Sequence, residues 1–257
     1  MAEKLTEIPR PKVSSYKPSR KIYLVATMFG FQGAPKDLQS KLETYWNDVR
    51  NQIENLEQSL TKITQVYHES VFDPGDKGLE AISKINPYAY SFITPLCQST
   101  AKLEPLEDKN LLQEEYDWRM CSSAGLTSEK VYSLVIKNLE ESTTKRWDHT
   151  SKVIDSTLPE NEAALLIVNE NHKIQFPEDI QVFYISPPSF DAIKRWVDEQ
   201  IRLMMESQKN AAAPADSKPP NNSDKSEKTT DDMSNEQNEN KNAKSSEDED
   251  QSKIYPY

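Results

Sequence analysis

Histidine and carboxylate side chains follow the predicted strands of this sequence, at the points where the strands end. His68 and Glu69 close the second predicted strand, Glu107 follows the third, and His172 lies in the polar loop after the fourth. Ligands of α/β sheets gather outside the carboxyl ends of the parallel strands. We therefore expect these side chains to lie close together. Imidazole and carboxylate groups bind zinc or manganese, and they also serve as general acids and bases.

Arg146 occupies a position where a core residue is expected. On the helix predicted over 128–158, it follows the same apolar stripe as Val135 and Ile154. An unpaired buried guanidinium is costly. The pattern therefore predicts a facing carboxylate or an anionic ligand that is held bidentately. Alternatively, the side chain extends past Trp147 to the surface.

These residues form two overlapping candidate sets. The catalytic set is Glu69, Arg146 and His172, and the metal set is His68, Glu107 and His172, for a divalent ion such as zinc or manganese. Each residue also has a structural interpretation, because histidines at strand ends are often simply hydrogen-bonded and Glu107 can cap the next helix. The sequence contains no HExxH, GxGxxG, GxxxxGK[ST] or Gly-x-Ser-x-Gly motif, so no motif specifies a reaction.

The elements that must position these residues alternate along the chain. β-branched apolar runs predict strands at 21–28, 63–69, 163–168 and 180–185. The segment 102–107 is a weaker strand, which Pro105 places at an edge of the sheet or turns into a bend. Helical periodicity, caps and prolines predict helices at 35–60, 77–84, 87–100, 108–124 and 128–158 and from residue 189 onward. The alternation predicts an α/β domain with one mostly parallel or mixed sheet of about five strands. The short link between the last two strands also permits an antiparallel hairpin.

Composition divides the chain into a central domain and two polar ends. We expect an extended N-terminal arm at 1–19, one α/β domain at 20–207 and a disordered acidic low-complexity tail at 208–257. The tail is either a solubilising segment or a partner-binding segment that ends in Ile254–Tyr257.

Charge and hydropathy exclude several kinds of partner. The formal net charge is −11, which disfavours nucleic acids and anionic membranes. No run approaches the ~20 apolar residues that span a bilayer, and no secretory signal is visible. We therefore expect a cytoplasmic protein in which Cys97 and Cys121 are free thiols. The apolar positions of the helix at 35–60 fit packing on a sheet or a short coiled-coil seam, so a homodimer through this helix is possible.

Most of residues 20–205 resembles a family of uncharacterised bacterial and archaeal proteins, through the segments VYHES, EEYDWRMC and 162–195. A remoter similarity is to the TraB/Tiki-type α/β superfamily, which includes proposed metal-dependent proteases. Glu69 corresponds to its acidic position, Arg146 to its helix arginine, and Asn169–His172 to its late histidine motif. Ala26–Phe29 stands where its first motif would be and lacks that motif's glycine and histidine.

The sequence thus supports two functions and does not decide whether the protein is an enzyme. The first is a non-catalytic binding protein for a protein or small-molecule partner. The alternative is a metal-dependent hydrolase-like enzyme with a histidine and carboxylate site at the strand ends. The enzyme requires His68 and His172 to share a site, whereas the binding protein is expected to expose an apolar patch.

Overall fold

The structure is a computed structural model that describes residues 19–30 and 33–211, and the side chains as far as residue 207. The predicted N-terminal arm therefore lies outside the described residues except for Ser19, and so does the predicted tail from residue 212 onward. The last helix continues to Ala211, past the domain boundary that the composition suggests.

Five strands form one parallel sheet. They are β1 (Arg20–Ala26), β2 (Ile63–His68), β3 (Lys102–Glu104), β4 (Ala163–Val168) and β5 (Ile180–Ile185). Their order across the sheet is β3-β2-β4-β1-β5, and every neighbouring pair is parallel. The α/β prediction is confirmed.

The alternative prediction of an antiparallel hairpin between the last two strands is wrong, because β1 lies between β4 and β5 and pairs in parallel with both. The side chains of Ile22–Val25 in β1 are almost completely buried. A strand that is buried on both faces belongs in the middle of a sheet, so it separates the two strands that are consecutive in sequence.

Six helices occur in the described part of the chain, and most of their boundaries follow local signals. They are α1 (Lys36–Ser59), α2 (Gly75–Ile85), α3 (Pro87–Ser99), α4 (Lys109–Ser123), α5 (Glu129–Thr157) and α6 (Pro188–Ala211). The side chain of Asp108 accepts hydrogen bonds at the start of α4 and that of Ser128 at the start of α5, so these residues cap their helices. None of the described helices is long and apolar enough to cross a membrane.

The helices cover the two faces of the sheet with separate hydrophobic cores. One core combines α1, α2, α3 and the start of α6 with the sheet. The other combines the opposite face of the sheet with α5, with Leu106 after β3 and with Ile174 of the connection between β4 and β5. The predicted apolar positions of α1, such as Leu42 and Ile53, are buried within the chain. The apolar face of α1 therefore packs on the sheet, as one of its two interpretations predicts.

This arrangement defines where a site can form. The connections that follow β1 and β2 contribute to one core, whereas those that follow β3 and β4 contribute to the other. Because β4 lies between β1 and β2, the chain leaves the sheet in opposite directions at neighbouring strand ends. Ligands of open α/β sheets bind at such switch points.

Candidate functional site

The ends of β1, β2 and β4 meet at the carboxyl edge of the sheet, as the sequence predicts. The backbone N–H of Thr27 donates to the carbonyl of Val168 at 2.9 Å, and the N–H of Glu69 donates to the carbonyl of Ile167 at 2.9 Å. The N–H of Asn169 donates to the Glu69 carboxylate at 3.0 Å. Glu69 therefore lies directly at the switch point.

Glu69 is a buried carboxyl group whose loss of hydration is only partly offset by hydrogen bonds and nearby positive charge. Burial raises its pKa above the ordinary range, while the Asn169 N–H, the positive charge of Arg146 and the Thr27 hydroxyl act in the opposite direction. Its Oε1 atom is buried and makes no hydrogen bond. A carboxyl group in this position favours the neutral form more than an exposed glutamate does.

His68 is fully buried next to Glu69. Its Nδ1 lies 2.5 Å from the backbone carbonyl of Glu69, which can only accept, so Nδ1 carries the proton. Nε2 is then an acceptor, and it is buried without a hydrogen-bond partner. Burial lowers the pKa of His68 to about 4. The imidazole is therefore neutral at physiological pH and is closed off from solvent.

Arg146 faces carboxylates, which confirms the paired interpretation of its position. It donates from Nε to Glu107 Oε2 at 2.9 Å and from Nη2 to Glu107 Oε1 at 2.5 Å, so the pair is bidentate. Its guanidinium also lies 4.4 Å from the ring centre of Trp147. Burial alone would lower its pKa, but the hydrogen bonds and charge of Glu107, followed by those of Glu115, raise it above its ordinary value.

Glu115 of α4 is a second partner of Arg146 that the sequence analysis did not identify. Arg146 Nη1 donates to Glu115 Oε2 at 3.1 Å, and Arg119 pairs with the other oxygen of the same carboxylate, as its i−4 spacing predicts. A signal was present, since Glu115 lies at helical spacing between Leu111 and Trp118. We call Glu107, Glu115, Arg119 and Arg146 the charge cluster. It contains two positive and two negative groups.

His172 lies in a different environment from His68. It is half-buried, and its ring centre is 6.4 Å from that of Trp147 and 6.1 Å from that of Phe176. Its Nδ1 accepts a hydrogen bond from the N–H of Ile174 at 3.3 Å. Burial lowers its pKa. These contacts hold the loop after β4 against α5.

The predicted residues are thus brought together only in part. Glu69, Glu107 and Arg146 are close enough to influence each other's charge. Within residues 19–30 and 33–211, however, no three histidine, cysteine or carboxylate side chains are placed to hold a metal ion. His68, Glu107 and His172 accordingly do not form a three-ligand group, because Glu107 is turned toward Arg146 and His172 toward Trp147.

Two open grooves lie elsewhere on the surface. One, of about 670 Å³, is lined by α2, α3 and β3. The other, of about 590 Å³, runs along β5 and is lined by Gln52, Asn55, Leu56, Ser59, Val182, Phe183, Tyr184 and Ile185. We call the second one the β5 groove. None of the five predicted site residues lines either groove.

Comparisons with protein-family models, with curated proteins and with solved structures find no significant match. The resemblance to the TraB/Tiki-type superfamily therefore stays a prediction that rests on the residues quoted for it.

Proposed function

We propose that this chain is a non-catalytic interaction protein that binds an extended, uncharged segment of a protein partner in the β5 groove. The observation that carries this proposal is the combination of a strand at the end of the described sheet and an open groove beside it. β5 pairs only with β1 among the described strands, and the groove follows it over four residues.

The shape of the β5 groove suits an extended chain. Its lining includes the successive residues Val182–Ile185, whose side chains point alternately to the two faces of the sheet. The groove therefore follows the outer side of the strand. An edge strand offers a row of backbone donors and acceptors, and many peptide-binding domains use such an edge to add a strand from their partner.

The chemistry of the groove suits an uncharged partner. All eight lining residues are neutral. Gln52 and Asn55 supply amide groups that donate and accept hydrogen bonds. Tyr184 is 68 % exposed and offers a large amphipathic ring, a side chain that is enriched at protein interfaces.

The metal-dependent hydrolase has less support. The charged residues that this enzyme would use pair mainly with other residues of the chain, as Arg146 does with Glu107 and Glu115. His68 is fully buried. A substrate would have to displace an ion pair or open the core to reach these groups, and removing one partner of a buried ion pair is costly.

Site-specific photocrosslinking in the native host cell tests the proposal. The photoreactive residue p-benzoylphenylalanine replaces Tyr184 in one variant and Tyr132 in a control, because Tyr132 of α5 is also exposed, at 48 %. We expect discrete adducts from position 184 only. Asn55→Arg, which places a charge in the groove, is expected to abolish them.

Glu54→Arg is the matched control for Asn55→Arg, since Glu54 is exposed on the same helix but does not line the groove. The absence of any adduct at position 184 would refute the proposal. Adducts that are the same at positions 132 and 184, or that persist in the Asn55→Arg variant, would refute it as well.

A further inference from the structure

We infer that Trp46 and Arg50 of α1 form a binding site for a carboxylate group, on a part of the surface that neither groove includes. The two residues lie four positions apart on one side of the helix, and both border the ring of Phe92 in α3. Gln52 and Asn55, which line the β5 groove, lie on the other side of α1, because successive residues of a helix turn by about 100°. The site is therefore independent of the proposed function.

Arg50 is a half-buried arginine whose guanidinium contacts no carboxylate among the described residues. The two buried arginines, Arg20 and Arg146, both form salt bridges. Arg50 instead lies 5.9 Å from the ring centre of Phe92, and it makes one hydrogen bond, from Nη2 to the carbonyl of Ser91 at 3.5 Å. Its Nε is buried and makes none. A guanidinium has five N–H donors, so most of those of Arg50 can still bind an acceptor.

The fold holds the Arg50 side chain in place. Glu54 lies one turn further along α1, at the spacing of a helical ion pair, yet the guanidinium is turned toward α3 instead. Its contacts with Phe92 and Ser91 order the side chain before any ligand arrives. A side chain that is already ordered loses less entropy on binding, which favours a site at this position.

Trp46 supplies a second donor beside the guanidinium. The residue is only 4 % exposed, and the N–H of its indole ring, at Nε1, is buried without an acceptor among the described residues. The ring centres of Trp46 and Phe92 are 6.3 Å apart. Buried polar groups without a hydrogen-bond partner are rare in folded proteins. A ligand that brings an acceptor would satisfy this group.

The donors of this site define the ligand. An indole N–H and a guanidinium can only donate hydrogen bonds, so the ligand must accept them. A planar carboxylate accepts two parallel bonds from a guanidinium. Because Nε of Arg50 and Nε1 of Trp46 are closed to solvent, the ligand first meets the Nη groups. The Arg50 side chain then has to turn away from Phe92 for Trp46 to share the same carboxylate.

The net charge of the chain makes this binding weak. A formal charge of −11 repels anions, and the carboxylates of Glu43 and Glu54 are exposed on the same helix. We therefore expect a dissociation constant of about 1–10 mM. The carboxylate belongs either to an acidic side chain of a protein or to a small organic acid, and both present the same group to the site.

Nuclear magnetic resonance of the nitrogen-15-labelled full chain tests the inference, with Trp46→Phe to assign the indole N–H of Trp46. The probes are sodium benzoate and the peptide acetyl-Ala-Glu-Ala-amide, and the neutral controls are benzamide and acetyl-Ala-Gln-Ala-amide. We expect a carboxylate probe to shift the Trp46 signal downfield and to saturate by about 50 mM, whereas the neutral controls leave it unchanged. The indole signals of the other three tryptophans should not move.

Arg50→Gln should weaken binding of the probe about tenfold or more, because it removes the charged donors. Arg195→Gln is the matched control, since Arg195 is exposed on α6, and it should leave binding unchanged. Arg50→Lys keeps the charge but loses the planar pair of donors, so it should also weaken binding, and it replaces Arg50→Gln if that variant does not fold.

The outcomes separate the sources of the carboxylate. A response to the peptide alone assigns the site to acidic protein segments, and a response to benzoate alone assigns it to small organic acids. No shift with either carboxylate probe would overturn the inference. An equal shift with the neutral controls, or binding that survives both Arg50 variants, would overturn it as well.

Discussion

The buried guanidinium of Arg146 shows how single charged residues serve the fold of this protein. It lies between Glu107 and Glu115, whose side chains are both almost completely buried. In the sequence, an arginine at a core position suggests a site for an anionic ligand. In the fold, the anionic groups that it binds are two carboxylates of the protein itself. The cluster joins α4 and α5 to the segment that follows β3.

Arg146→Met is expected to lower the free energy of unfolding by about 3–5 kcal/mol, because it leaves two buried carboxylates without their partner. Arg119→Met is the control. Arg119 belongs to the same cluster, but its side chain is 63 % exposed, so its loss should cost less than about 1 kcal/mol. Urea unfolding at neutral pH measures both.

Combining Arg146→Met with Glu107→Gln and Glu115→Gln should recover part of the loss, since the triple variant buries no unpaired charge. Equal losses for Arg146→Met and Arg119→Met would show that the buried pairing is not what stabilises the cluster.

His68 makes stability depend on pH in a defined direction. Its pKa is about 4 in the folded protein, below its ordinary value of 6.5. Between these values the unfolded chain binds more protons than the folded one, so stability is present above pH 6.5 and is lost as the pH falls toward 4. The loss from this group is roughly 3 kcal/mol. His68→Gln should remove it, which urea midpoints between pH 4 and 7 would show.

Glu69 acts in the opposite direction. Because its folded pKa is raised above 4.5, it contributes stability below pH 4.5 that is lost as the pH rises through the folded pKa. Glu69→Gln should therefore stabilise the protein at neutral pH and steepen the loss on acidification that His68 causes. If Glu69→Gln were destabilising at neutral pH, the buried carboxyl would have to be held by stronger interactions than those of Asn169 and Arg146.

At the scale of the elements, α6 changes its surroundings along its length, from buried near its start to exposed further on. Phe190 and Ile193 are buried against the core, whereas Val197, Ile201 and Met204 continue the same stripe with exposures of 39 %, 46 % and 64 %. Only the first half of this apolar stripe is therefore buried in the described domain.

Two isoleucines of this stripe provide a matched pair. Ile193→Ala should lower the free energy of unfolding by about 2–5 kcal/mol, as is usual for a buried isoleucine. Ile201→Ala should change it by no more than about 0.5 kcal/mol. Thermal and urea unfolding of both variants measures the difference. A comparable loss in Ile201→Ala would mean that the second half of the stripe is covered in solution.

The helices and strands could be predicted from the sequence because hydrophobic spacing and caps depend only on residues that are close together in the chain. The spacing of Leu42, Trp46 and Ile53 predicted α1, and Asp108 and Ser128 marked two helix starts. Strand order was not predictable in this way, since nothing local indicates that β1 separates β4 from β5. Arg146 was found because a charge interrupts an apolar stripe. Glu115 lies at helical spacing between Leu111 and Trp118, which could have placed it on the inner face of α4, but its pairing with Arg146 depends on how α4 crosses α5.

At the scale of the whole molecule, the chemically capable residues and the open surfaces lie in different places. Histidines and buried carboxylates gather at the carboxyl edge of the sheet, where they pair with each other or with the backbone. The accessible features of the described residues include the two surface grooves and the exposed apolar residues of α6. This separation is what favours binding over catalysis as the use of the fold.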